Sequence, residues 1–267
     1  SANWLLAARK LVALSPSPER DRGLVLALNA NAGALVSLGD EPSLADAGRL
    51  LAEAGELLDG LGDEGELRAH ICLNQGWLRH MRRQFDGSLP IVERAIQAAQ
   101  YAHAERLERA ARSLRSQFLA VAGRHEEAIA EARLALETTH DDAASTHQLN
   151  LAVALHLAGR NDEALDALRA GLAAAVVDEP VGPDVLRLLF VAAALLDETD
   201  STQSLAVTEA AEVMLDALRQ RLGDAVDRLG FDDADRHREV AATLVQRRLA
   251  ANDILGALAT ADRHRAR

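Results

Sequence analysis

The sequence predicts an all-α chain of paired antiparallel helices, and three observations lead there. A short pattern returns along the chain, GRHEEAIAEARLAL from Gly123 and GRNDEALDALRAGL from Gly159, thirty-six residues apart. Periods of about 20–50 residues mark stacked supersecondary units rather than one closed core. Ala and Leu dominate an apolar fraction of 49%, while aromatics make up only 3%. Close-packed helices favour Ala and Leu, whereas strands want β-branched and aromatic residues. Finally, no stretch alternates apolar and polar residues for long, so almost no sheet is expected.

Read in order, a leading helix over 3–14 ends at Ser15-Pro16-Ser17-Pro18. Helices then follow at 19–38, 43–60, 64–83, 88–103, 105–122, 125–138, 142–158, 161–175, 183–196, 201–222, 233–251 and 253–266. Gly39, Gly123 and Gly159 close the first helix of a pair, where glycine tolerates the left-handed conformation. Asp40, Asn161 and Asp253 stand where a side chain can cap the next helix. Leu61-Gly62-Asp63-Glu64, Thr139-His140-Asp141-Asp142 and Asp178-Glu179-Pro180 separate successive pairs.

Alignment on Ala128 and Ala164 extends the repeat to Leu44, Ser88, Ser204 and Ala257. Twelve positions upstream of these anchors stand Ala32, Gly76, Ser116, Ala152, Ala192 and Val245, and seven downstream stand Leu51, Ala95, Ala135, Gly171, Ala211 and His264. Most are small, as close helix approach requires. The chain therefore reads as one domain, 1–267, of six units: 19–61, 62–104, 105–140, 141–180, 181–229 and 230–267.

The stretch Leu149-Asn150-Leu151-Ala152 followed by Gly159-Arg160-Asn161-Asp162-Glu163-Ala164-Leu165 resembles the tetratricopeptide repeat. The resemblance is good over 105–175 and traceable over 19–104 and 183–267, although the family's Trp, Tyr and terminal Pro positions are mostly unfilled. It implies a right-handed superhelical solenoid of about six hairpins. The C-terminal run Gly256-Ala257-Leu258-Ala259-Thr260-Ala261-Asp262-Arg263-His264-Arg265-Ala266-Arg267 resembles the end of the final repeat in proteins where such repeats precede a CHAT domain, a caspase-like peptidase module. Asp262 stands in place of the usual Glu. That resemblance implies the regulatory arm of a larger protein, with any catalytic His and Cys beyond Arg267.

Charge and composition exclude several classes. A net charge of −12 argues against nucleic acid, whose affinity comes largely from Lys and Arg on phosphates. Few aromatics leave little for base stacking. Lys10 is the one lysine, a bias expected of a GC-rich bacterial genome. Cys72 is the sole cysteine, so no internal disulfide forms, and a cytoplasmic location is expected. Arg9 and Lys10 interrupt the apolar start and spoil it as a secretory signal. No membrane span is expected, since no apolar run is long enough.

No catalytic, metal or cofactor site is expected. His125-Glu126-Glu127 opens like a zinc-protease helix, but Ile129 replaces the second histidine. Cys72 cannot meet His70 or His80 along one helix, and it reads as a small buried thiol. His147 and His156 lack ligand spacing, and all nine histidines read as surface or groove residues. The acidic runs 197–200 and 232–235 lack the glycine and glutamate of a calcium loop.

In tetratricopeptide arrays the first helix of each pair lines the concave face. The resemblance accordingly implies a protein or peptide ligand held by Asn74, Trp77, His80, Gln117, Asn150, Val153 and His156, with Asn29, His70, Leu73, Ser113, Thr146 and Leu149 alongside. Asn74 and Asn150, fourteen before their anchors, bind a ligand backbone or are simply exposed polar residues. Trp77 is an interface anchor or fills the gap between hairpins. Arg79, Arg82, Arg83, Arg112 and Arg115 attract an acidic partner or pair with carboxylates such as Glu105 and Glu108. The expected role is a non-catalytic binding scaffold, with a transcriptional-regulator repeat region or a stand-alone assembly scaffold as alternatives. The partner's identity and the oligomeric state are not legible.

Overall fold

The computed structural model describes residues 10, 17–62, 64–85, 87–137, 144–178, 183–197, 201–222, 233–250 and 253–265. Within these, the side chains of 176–178, 183–184, 186–187, 201, 215–222, 233–241 and 262–265 are not described. The chain divides into two units, Ser1–Thr138 and Thr139–Arg267. Apart from residue 10, the expected leading helix 3–14 lies outside the described residues.

Unit one contains α1 (Pro18–Leu38), α2 (Glu41–Leu61), α3 (Gly65–Met81), α4 (Leu89–Tyr101), α5 (Glu105–Val121) and α6 (His125–Glu137). Each odd helix packs on the next as a hairpin, and α1, α3 and α5 lie side by side. Unit two contains α7 (Ala144–Leu157), α8 (Asn161–Asp178), α9 (Pro183–Asp197), α10 (Ser201–Leu222), α11 (Asp233–Ala250) and α12 (Ile254–Arg265), paired in the same way. The described residues contain no strand. The expected all-α array of hairpins is what forms.

Burial follows the repeat register. Anchors Leu44, Ser88, Ala128, Ala164, Ser204 and Ala257 are all buried, as are their upstream partners Ala32, Gly76, Ser116, Ala152 and Ala192. The sixth partner differs: Val245 is half-buried and Leu244 fully buried, so α11 turns its adjacent residue inward. Two crossings need glycine. A Cβ on Gly76 would lie 2.7 Å from Leu114 Cδ2, and one on Gly171 would lie 2.9 Å from Leu188 Cδ2. At two others a serine bridges the pair, Ser116 Oγ donating to Ala128 O and Ser204 Oγ to Ala193 O, each at 2.8 Å.

Four of the described turns share one device. At Gly123 (φ 75°), Arg124 N donates to Leu119 O at 2.9 Å and Gly123 N to Ala120 O at 3.1 Å. Gly159 (φ 76°) repeats it through Arg160 N to Leu155 O. This doubly bonded left-handed close satisfies the last carbonyls of the helix. Arg83 (φ 54°) and His103 (φ 52°) make the same turn without glycine. Asp40 Oδ1 accepts from Ser43 N and Asp253 Oδ1 from Gly256 N, both at 2.9 Å, as expected of caps. Hydrogen bonds from the Ser43 hydroxyl and then its backbone hold the Asp40 carboxyl below its ordinary value. Asn161 is not a cap. It sits inside α8 as its first residue, and its Oδ1 lies 3.0 Å from His156 Nδ1.

Candidate functional site

Helices α1, α3 and α5, the first of each pair, bring their N-terminal halves together in unit one, and two cavities lie between them. One, of about 580 Å³, lies between α3 and the start of α5, lined by Glu66, His70, Leu73, Arg106, Leu107 and Ala110 among others. The other, of about 230 Å³, lies between α1 and α3, lined by Arg22, Leu26, Glu66, Leu67 and His70. Glu66 and His70 are shared, so they form a ridge with a cavity on each side. Leu26 is 48% exposed, an apolar side chain left open at the rim.

Of the expected groove residues, His70 and Leu73 line this surface directly. Further along α3, Asn74 Nδ2 donates to Asn29 Oδ1 at 2.9 Å, pinning α3 to α1. Trp77 and His80 enter a ring cluster: Trp77 meets His80 edge-on at 5.5 Å between centroids, and His80 in turn meets Phe85 at 5.9 Å and Phe118 at 6.1 Å. Trp77 packs against two apolar clusters of the unit, so it does fill the space between hairpins. Gln117 is half-buried on α5, beside Phe118.

The other expected residues belong to unit two. Asn150 is buried at 6% exposure on α7, and Val153 and His156 are half-buried on the same helix. The expectation that every histidine is a surface or groove residue fails at His147, which is only 3% exposed. Helix α7 is enclosed by both α8 and α9, leaving most of its circumference inside.

Arg112 and Arg115 resolve in favour of internal pairing. Arg112 Nη1 lies 3.1 Å from Glu131 Oε2, its Nη2 lies 2.7 Å from Glu108 Oε1, and Arg115 Nη1 holds the other oxygen of Glu131. Arg115 also reaches Glu93 at 3.3 Å, and Arg82 Nη2 donates to Leu44 O at 2.9 Å. Burial acts to raise the Glu108 carboxyl, but hydrogen bonds from Gln100 and Arg112 outweigh it and hold the group low. Cys72 is buried, and desolvation pushes its thiol up, away from the reactive thiolate. Among the described residues no cluster of His, Cys, Asp and Glu is arranged to hold a metal, and no helix is long and apolar enough to cross a membrane.

Sequence reasoning missed Arg22, Leu26, Glu66, Arg106 and Ala110. The signal was present, because these residues lie one or two helical turns before Asn29, His70 and Ser113 on the same faces.

No family model matches the chain, and no curated protein matches it. Solved structures do. BtubC (BKLC) from P. vanneervenii superposes with a TM-score of 0.61 at 20% identity, covering 90% of each chain. A Rap protein complexed with competence and sporulation factor gives 0.60 at 13% identity, covering 98% of this chain and 84% of that one. The apo form of RapI gives 0.56 at 11% identity, over 83% and 89%. At such identities the likeness carries the fold. The chain has a tetratricopeptide-like helical-repeat fold.

Proposed function

We propose that this chain is a non-catalytic scaffold that recognises a protein or peptide segment, and that the face formed by α1, α3 and α5 is where unit one holds it. The observation that carries this reading is the pair of cavities flanking the Glu66–His70 ridge, with an open apolar side chain, Leu26, at the rim. Concave sites with apolar walls and a few polar groups are where ligands bind. The Rap protein complexed with competence and sporulation factor shows that a chain of similar fold takes a partner, which supports the reading. Asn74, Trp77, His80 and Gln117 continue this face as structural support, and Asn150, Val153 and His156 mark its counterpart on α7 of unit two.

The finer reading is a regulatory arm attached to a CHAT peptidase in a larger cytoplasmic bacterial protein. It is supported by the C-terminal resemblance over 256–267. Reading the gene beyond the codon for Arg267 tests it, and a downstream region without a caspase-like His and Cys module refutes it.

For the groove, the test is a phage-displayed random 12-mer library selected on the whole chain. Groove recognition requires that enriched peptides bind the parent protein and lose binding to Leu26→Glu, whose helical circular dichroism stays intact. Peptides indifferent to that substitution, or a library yielding none, refute the reading.

A further inference from the structure

We infer that the groove of unit one takes a peptide segment with a basic residue between two apolar ones, followed by an acidic residue on the α5 side. This rests on the groove reading above and deepens it into a ligand chemistry.

The charges of unit one are mostly spoken for. Arg22 pairs with Glu64 at 3.2 Å, Arg68 with Asp59 at 3.1 Å, and Arg112 and Arg115 with Glu131. In the lining of the larger cavity Glu105 pairs with Arg109 at 3.9 Å, and three other groups stand apart. Among the described residues, Glu66, His70 and Arg106 have neither an ion pair nor a hydrogen bond from their side chains, although all three line the same cavity. A carboxylate facing two cavities with apolar walls loses hydration when either is filled, at a free-energy cost unless the ligand supplies a cation. Glu66 is shared by both cavities, so that cation belongs between two apolar side chains rather than at either end.

Leu26 and Leu67 form the apolar wall on one side of the ridge, and Leu73, Leu107 and Ala110 that on the other. Packed helices lie about 8–10 Å apart, and a polyproline-II segment advances about 3.1 Å per residue with three residues per turn, so two anchors three residues apart share a face, with the basic residue between them. Arg106 stands on the far wall, at the first turn of α5. A guanidinium there favours a carboxylate beyond the second anchor and sets the direction of the segment.

The test uses the 12-mers selected on the whole chain. The expected result is an apolar–basic–apolar–acidic pattern in the enriched pool. A representative synthetic peptide loses about tenfold in affinity on Glu66→Gln, the scale of one charge-assisted hydrogen bond. Selection on Glu66→Arg shifts the central position from basic to acidic, and selection on Arg106→Glu makes the trailing position basic. Peptides that need Leu26 but show no charge pattern, or bind Glu66→Gln undiminished, overturn this inference while sparing the groove. Peptides that ignore Leu26→Glu, or an empty selection, overturn both.

Discussion

The first and third hairpins of unit one do the same structural job with partly different chemistry. Between α1 and α2 the joint is hydrocarbon: Leu24, Leu28, Leu44, Leu51 and Leu58 are all buried. Between α5 and α6 Ala128, Ile129, Ala132 and Ala135 are buried as well, but the joint also holds charge, with Glu131 of α6, 8% exposed, gripped by Arg112 and Arg115 of α5. Both hairpins keep small partners at the crossing, Ala32 opposite Leu44 and Ser116 opposite Ala128. The close approach at that crossing and the tight turn set the geometry, and the remaining space accepts either filling. This tolerance explains why the repeat is detectable at small positions and fades elsewhere.

The largest expected effect tests that contrast. Glu131→Ala removes the carboxylate that Arg112 and Arg115 share but leaves them Glu108 and Glu93, and should cost about 1–3 kcal/mol, the scale of lost charge-assisted hydrogen bonds. Leu51→Ala in the first hairpin should cost about 2–5 kcal/mol through its cavity. Urea denaturation measures both. If ions merely fill space, replacing Glu131, Arg112 and Arg115 together by Leu, Met and Met should restore wild-type stability or exceed it. A triple variant as unstable as Glu131→Ala would show instead that α5 and α6 need the ions for their register.

A polar pin gives a smaller effect between the first and second hairpins. Asn74→Ala removes the donor to Asn29, which is itself buried, and leaves that acceptor unsatisfied. The expected loss is about 1–2 kcal/mol, read from the denaturation midpoint. A double cycle with Asn29→Ala should recover part of it, since removing both partners is cheaper than orphaning one. Equal losses in the single and double variants would mean the two amides are independent.

Acid should weaken the ionic joint before the hydrocarbon one. Glu108 binds its proton less readily in the folded state than in the unfolded chain. Its contribution is therefore complete above the ordinary carboxylate range and is lost as pH falls towards the lowered folded value. Glu108→Gln should flatten the fall of the urea midpoint across that window, while Leu51→Ala shifts it uniformly. Parallel profiles for wild type and Glu108→Gln would remove Glu108 from the acid response.

Local signals made the helices legible and tertiary ones hid the site. Each of the twelve expected helices after the leading segment lies within three residues of an observed one, because glycine closes, acidic starts and the 3.6-residue period are written locally. Which polar stripe becomes a groove depends on the neighbouring helix, so Glu66 and Arg106 looked like any solvated helix start. The arginines of α5 were equally ambiguous until Glu131 arrived from the next helix. His147 escaped because its helix is covered from two sides, which no single-helix pattern encodes.

The finest contrast is between turns of one geometry and different residues. Gly123 at φ 75° and His103 at φ 52° close their helices with the same pair of backbone bonds. Glycine enters that region freely, whereas a side-chain-bearing residue meets its own following carbonyl there. Gly123→Ala should therefore cost about 1 kcal/mol, and His103→Gly should return about 0.5–1 kcal/mol less what the freer unfolded chain gains. His103 is exposed, so its ring has little packing to lose. Thermal melts of the two variants should move in opposite directions, by a few degrees at most for a chain of this size. If His103→Gly melts lower than wild type, the side chain contributes something beyond the turn, and the turns are alike in shape but not in origin.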